Sequence, residues 1–292
     1  MGIEDSMKTC FFASDLHGKE ERYRKLFGAI EKELPAAVFL GGDIFPSGLG
    51  AMAGIPECED FLEDVFAAGF RAIHRTLGSK SPSVFVILGN DDARIREKEM
   101  EELAGRGLWN YMHNKCVWWK DRPVYGYAFV PPTPFMLKDW ERYDVSRYLD
   151  PLCVAPEDGW FSVQVVKGRL KYKTIQDDLR KLTLDADLSR AVFLFHTPPY
   201  NTALDRAALD GKKYNYVELD VHVGSIAVRR FIESRQPLLT LHGHIHESAR
   251  ITGEWKERIG RTFAFSSAHD GPELALVRFD LDDLENATRE LL

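Results

Sequence analysis

The chain has 292 residues, 45% of them apolar and 28% charged, with a formal net charge of −7 at neutral pH. Such a balance is ordinary for a soluble globular protein, and the length allows a sizeable core. No apolar run approaches the roughly 20 residues needed to cross a bilayer, and the acidic start, Met1–Lys8, has no signal-peptide pattern.

In chain order, the apolar run Cys10–Ser14 reads as a buried strand. The stretch Lys19–Leu34 after it reads as a helix with Tyr23, Leu26, Phe27 and Ile30 on one face. A second strand, Val38–Gly42, leads into a Gly/Pro-rich loop over Pro46–Pro56 and a helix near Glu57–Leu77. A third strand, Val84–Gly89, precedes a charged helix over Arg94–Leu103. Strands alternating with helices imply parallel pairing with the helices packed outside.

The middle of the chain changes character. Lys115–Trp119 and Val124–Val130 read as strands joined by a tight turn at Asp121-Arg122-Pro123. From Pro131 to about Gly168, prolines break any helix, while Trp140, Tyr143, Tyr148, Trp160 and Phe161 make the segment too apolar for a linker. A folded excursion over the sheet rim is expected there, read as a loop covering apolar surface; the alternative is a lid in which Lys138, Arg142 or Arg147 meets a substrate phosphate and Trp140 or Tyr143 stacks on a base or ring. A helix at Ile175–Leu182, a strand at Val192–Phe195, a helix near Ser225–Ser234 and a strand at Leu238–Leu241 follow. Phe263–Ser267 and Leu274–Leu281 read as further strands, and the acidic end Asp282–Leu292 as a peripheral helix or tail. Neither a repeat nor a linker divides the chain, so one domain over 1–292 is expected.

Five of these apolar runs stop directly before a metal-grade ligand. They lead into Asp15 and His17, Asp43, Asn90, His196, and His242-Gly243-His244-Ile245-His246. Functional groups of open α/β sheets gather beyond the carboxyl ends of their strands. Carboxylate, imidazole and amide oxygen donors delivered to one rim describe a centre for a divalent cation such as Fe, Mn or Zn. Asp43 has two oxygens and can bridge two cations. The scattered cysteines, Cys10, Cys58, Cys116 and Cys153, lack CxxC spacing and read as buried thiols of a reducing cytoplasm.

The order Asp15-x-His17, Gly42-Asp43, Gly89-Asn90-Asp91-Asp92, His196 and Gly243-His244-x-His246 resembles the calcineurin-like metallophosphoesterase superfamily across nearly the whole chain. The resemblance implies an α/β fold, a four-layer α/β/β/α sandwich of two mixed sheets flanked by helices. It implies two divalent metal ions (Mn, Fe or Zn), bridged by an aspartate and by a water or hydroxide that attacks phosphorus. Carried over by position, Asp15, His17, Asp43 and His246 hold the first metal. Asp43, Asn90, His196 and His244 hold the second, with Asn90 and His196 also facing the substrate.

Two departures from the family pattern stand out. Asp91 occupies the place of a histidine that contacts the phosphate and helps protonate the leaving group. A carboxylate serves there as an acid only if its pKa is raised, so His222, just before the Ser225 helix, is a second candidate for proton transfer. In Asp43-Ile44-Phe45-Pro46 the second aspartate of many relatives and the arginine of protein phosphatases are missing, which disfavours a phosphoprotein substrate. His242 is expected to face away from the ligands or to orient one. His74 and His113 are expected to be structural; His269 and Tyr200 are candidates to approach the rim.

The expectation is therefore a cytoplasmic metal-dependent phosphoesterase for a small phosphoester, more a diester than a monoester. A nuclease of the same superfamily is disfavoured by the acidic balance, although cations in a site reverse the sign locally. A non-catalytic scaffold is disfavoured because all seven ligand positions are filled.

Overall fold

A computed structural model of the chain describes residues 8–47 and 60–292. Two six-stranded sheets form its centre. In the first, β1 (Thr9–Ala13), β2 (Ala37–Gly41), β3 (Ser83–Ile87) and β4 (Asn110–Tyr111) run parallel, in that spatial order. In the second, β5 (Lys115–Trp119) lies antiparallel beside β6 (Arg122–Tyr127), which runs parallel to β7 (Val192–Phe195). A small exposed hairpin follows, β8 (Lys213–Tyr214) with β9 (Val217–Glu218).

The second sheet continues through β10 (Leu239–His242), with β12 (Thr262–Ser266) parallel to it and β11 (Lys256–Ile259) antiparallel at the edge. The chain then returns to the first sheet as β13 (Ala275–Asp280), antiparallel to β1, and β14 (Asp283–Leu291) beyond it. Each sheet thus has a parallel middle and an antiparallel edge. The parallel strands are buried on both faces, which is why they read as unbroken apolar runs rather than alternating ones.

Aromatic rings join the two sheets: Phe39 and Phe85 of the first lie 6.4 and 5.9 Å from Trp119 of the second, and Phe279 lies 5.9 Å from Phe265. Helices cover the outer faces. α1 (Glu20–Glu33) meets α2 (Ala68–Leu77) through Phe27 and Phe70, 5.3 Å apart. α2 is entered through one wide turn over Leu62–Ala67. On the other side, Phe231 of the helix Ile226–Arg235 packs 5.0 Å from Phe193. The result is the layered α/β/β/α sandwich.

Two expectations need correction. The acidic end is a strand, β14, not a helix or tail. Buried Leu284 and Ala287 are three residues apart and imitate helical spacing, yet the segment pairs along β13 as a charged edge. The turn between β5 and β6 falls at Lys120, with φ at 54°, and β6 begins at Arg122, so that Arg122 and Pro123 belong to the strand. The Gly/Pro-rich loop over Pro46–Pro56 and the start of the Glu57 helix lie mostly outside the described residues.

The excursion over 131–168 is folded, and most of the side chains that a lid would offer to a substrate are engaged by protein partners, while Tyr148 and Trp160 are exposed. Lys138 is fully buried, its ammonium donating to Glu141 and to the Thr133 carbonyl, the latter at 2.8 Å. Arg142 pairs with Asp178 and lies 3.7 Å over the Phe129 ring. Arg147 faces Glu157, and the Tyr143 hydroxyl donates to the same carboxylate. Trp140 is buried beneath the Arg94 guanidinium at 4.9 Å. These contacts make the segment a brace, in keeping with a loop that covers apolar surface.

Candidate metal centre

The loops leaving β1, β2, β3, β7 and β10 meet at one end of the sandwich. Backbone hydrogen bonds fix them to one another: Asp15 N donates to Gly42 O at 2.9 Å, His17 N to Asp43 O at 2.8 Å, and Gly243 N to His196 O at 2.9 Å. Four of the candidate residues stand in the left-handed region, with φ of 57° at Asp15, 49° at His17, 51° at Asp43 and 75° at His244. Side-chain-bearing residues rarely adopt it, and such positions cost about 1–3 kcal/mol each and gather at functional sites.

Close approach also explains the glycines before two of these residues. A Cβ on Gly42 would lie 2.6 Å from His196 Nδ1, and one on Gly89 would lie 2.3 Å from Asp43 Oδ1. The Gly-Asp and Gly-Asn pairs of the sequence are therefore packing requirements of the rim.

Donor atoms of Asp15, His17, Asp43 and His246 all lie within 4.8 Å of one another. His246 Nε2 is 3.2 Å from Asp15 Oδ1, and His17 Nε2 is 3.1 Å from His246 Nε2 and 3.7 Å from Asp43 Oδ2. A second group adjoins it across Asp43. His196 Nε2 lies 3.4 Å from Asp43 Oδ2 and 3.0 Å from Asn90 Oδ1, and the His244 ring is 5.2 Å from that of His196. All seven side chains that the sequence grouped lie together.

Hydrogen bonding sets the lone pairs. His196 Nδ1–H donates to the Gly41 carbonyl at 2.7 Å, which turns Nε2 toward Asp43 and Asn90. Carboxylate and amide oxygens and imidazole Nε2 atoms thus crowd one another, an arrangement in which a cation can take the place of the imidazole protons. The electrostatics agree. Burial works against charge on every group, yet the imidazole of His196 holds Asp43 down at about 2, and His246 holds Asp15 below the carboxylate range. Burial likewise opposes protonation of His17 and His196, but neighbouring carboxylates, Asp91 for the first and Asp43 for the second, push both up to about 9. The pocket attracts positive charge, and the donor set fits two divalent cations sharing Asp43.

Several supporting residues were given no role by the sequence, although Asp92 lies within the Gly89-Asn90-Asp91-Asp92 motif. Asp92 is fully buried and accepts from Gly89 N at 2.8 Å, Ile44 N at 3.1 Å and Phe45 N at 2.8 Å, tying the Asp43 loop to the Asn90 loop. Arg22 donates to the Asp15 and Gly271 carbonyls. Ser14 Oγ donates to Asp15 Oδ2. Only the long-range fold gives these groups their partners.

Among the other histidines, His242 is buried, its Nδ1–H donating to Thr197 O at 2.8 Å, so it holds the loop after His196 rather than facing the cluster. His222 Nδ1 is 2.8 Å from Asp205 Oδ1, and its ring lies 6.0 Å from Tyr200, whose hydroxyl donates to Asp220. Ala207 N donates to Val221 O, next to His222, at 2.8 Å, and Ala208 N donates to Glu247 Oε1 at 3.0 Å. His269 pairs with Glu273 at 2.9 Å, and His113 is buried, accepting from Ala128 N at 3.1 Å. His74 Nε2 lies 3.5 Å from Leu108 O, on the helical face.

A two-sheet sandwich with carboxylate, imidazole and amide donors converging at the strand ends defines a metallophosphoesterase-type protein. The family model for calcineurin-like phosphoesterases matches residues 9–248, and the chain belongs to that family, whose members are metal-dependent phosphoester hydrolases. No curated protein matches the chain. Among solved structures, TT1561 of Thermus thermophilus is 20% identical over 97% of this chain and 98% of its own, with a TM-score of 0.54. A dimetal phosphatase from Danio rerio is 13% identical over 98% and 96%, with a TM-score of 0.51. A third solved chain reaches 0.59 at 16% identity over 97% and 98%. At these identities the likeness establishes the fold.

Proposed function

We propose that the protein is a dinuclear-metal phosphoesterase acting on a small phosphate diester. The observation that carries this reading is the convergence of carboxylate, imidazole and amide donor atoms around Asp43, which faces His17 on one side and His196 on the other. Asp15, His17, Asp43 and His246 would hold one cation, and Asp43, Asn90, His196 and His244 the other, with Mn, Fe or Zn suiting the mixed donors. Bound there, paired cations supply Lewis acidity toward phosphoryl oxygens and lower the pKa of bound water to about 7.

The chain's own residues account for the rest. Asn90 and His196, side by side at 3.0 Å, face the substrate as well as the cation. The His222–Asp205 pair leaves Nε2 of a partly exposed imidazole available to give a proton to the leaving alkoxide. The negative charge of Asp91 at the rim favours a singly charged diester over a doubly charged monoester. A cytoplasmic setting belongs to the same reading, supported by thiols at Cys10, Cys116 and Cys153. Among the described residues, no helix is long and apolar enough to cross a membrane.

Hydrolysis of bis-p-nitrophenyl phosphate with added Mn²⁺ tests the proposal. Asp43→Asn and His196→Ala are expected to lose more than the about 10–100-fold typical of an outer partner of a metal ligand. Turnover indifferent to both changes, or absent with every metal, would favour a non-catalytic scaffold.

A further inference from the structure

Asp91 occupies the position where the family pattern carries a histidine, yet its carboxylate is turned toward a metal-ligand candidate. Oδ2 lies 3.3 Å from His17 Nδ1, and Oδ1 accepts from Ser47 Oγ at 2.9 Å. The backbone N–H of Asp91 donates to Asp43 Oδ1 at 2.8 Å, so the same residue touches two members of the cluster. On the other edge of the His17 ring, Nε2 points at His246 Nε2 and Asp43 Oδ2, 3.1 and 3.7 Å away.

A neutral imidazole that donates Nδ1–H to a carboxylate presents the lone pair of Nε2 on its far side, as a metal ligand must. A carboxylate behind a ligating histidine fixes the ring, selects the tautomer and raises ligand basicity. His17 needs such a hold. Its side chain is 20% exposed, its backbone sits at φ 49°, and among the described residues it is Asp91 that faces Nδ1.

We propose that Asp91 is a positioning residue, locking His17 with its proton on Nδ1 and so setting the affinity of the cation site made by Asp15, His17, Asp43 and His246. The inference rests on the dinuclear reading above and deepens it. The substitution exchanges a side chain that would serve the leaving group for one that serves a ligand. Proton delivery then falls to another group, or to substrates whose leaving groups need none. Ser47 has the lesser part of steadying the carboxylate.

Mn²⁺ binding to the full chain, measured by equilibrium dialysis and calorimetry without substrate, separates the possibilities. Wild type is expected to bind two equivalents. Asp91→Ala should weaken one of them by about 10–100-fold and leave the other, along with the metal-free melting midpoint, near wild type. Asp91→Asn, which keeps an acceptor but not the charge, should weaken that equivalent less. If Asp91→Ala binds both equivalents as wild type does but loses turnover and one limb of its pH profile, Asp91 carries a proton and the inference is overturned. A wild-type chain that binds no Mn²⁺ would overturn the dinuclear reading itself.

Discussion

A single methyl group added at Gly89 would meet both Asp43 Oδ1 at 2.3 Å and Asp43 N at 2.5 Å. Backbone cannot yield there as a flexible side chain would, because Asp92 ties the two loops together from below. Gly89→Ala is therefore expected to lower Mn²⁺ affinity by at least about tenfold through displaced Asp43, an effect of the size seen when ligand support is lost. Calorimetric titration of the folded variant checks it; wild-type affinity would show that the rim has slack. His113 makes a separate prediction. Burial, then the charges of Arg94 and Arg142, hold its pKa well below 6.5. Below pH about 6.5 the unfolded chain takes a proton that the native ring refuses, so stability falls with pH by up to about 1.4 kcal/mol per unit. Urea unfolding of wild type and His113→Gln at two values, about pH 7.5 and 5.5, should show a shallower loss in the variant. Parallel losses would assign the acid sensitivity elsewhere.

The excursion shows how an element can be recognised while its role stays open between a covering loop and a lid. Its prolines and aromatics announce a folded segment, and one is present, but the partners that define its role are remote in sequence or hidden in burial. Asp139 accepts from Arg94 N at 2.8 Å and from Ser162 N at 3.0 Å, while Ser162 Oγ accepts from Ile95 N at 2.9 Å. The segment thus grips the chain just after Asn90-Asp91-Asp92 and steadies that loop. Its own anchor is the Lys138–Glu141 pair, both side chains 0% exposed. Removing one member of such a pair leaves an uncompensated buried charge. Glu141→Gln should cost about 3–5 kcal/mol in urea unfolding, with much of the loss recovered in a Lys138→Met/Glu141→Gln double variant. A single variant as stable as wild type would show that the pair is dispensable.

Across the whole molecule, the strand ends were the legible part. An apolar run closed by Gly-Asp, Gly-Asn or His is a local signal, and parallel topology sends all such ends the same way. The edges were not legible: β14 is charged, and its two buried residues mimic a helix. The support given by Arg22 was hidden for a related reason, and the motif residue Asp92 showed its place but not its partners, which folding brings near.

Anomalous scattering from crystals grown with Mn²⁺ decides whether seven side chains from both sheets enclose two cations sharing Asp43. Two peaks about 3.5–4 Å apart are expected, one among Asp15, His17, Asp43 and His246, the other among Asp43, Asn90, His196 and His244. Crystals with no peak at Asp43, or with manganese bound only elsewhere on the chain, would contradict a shared centre.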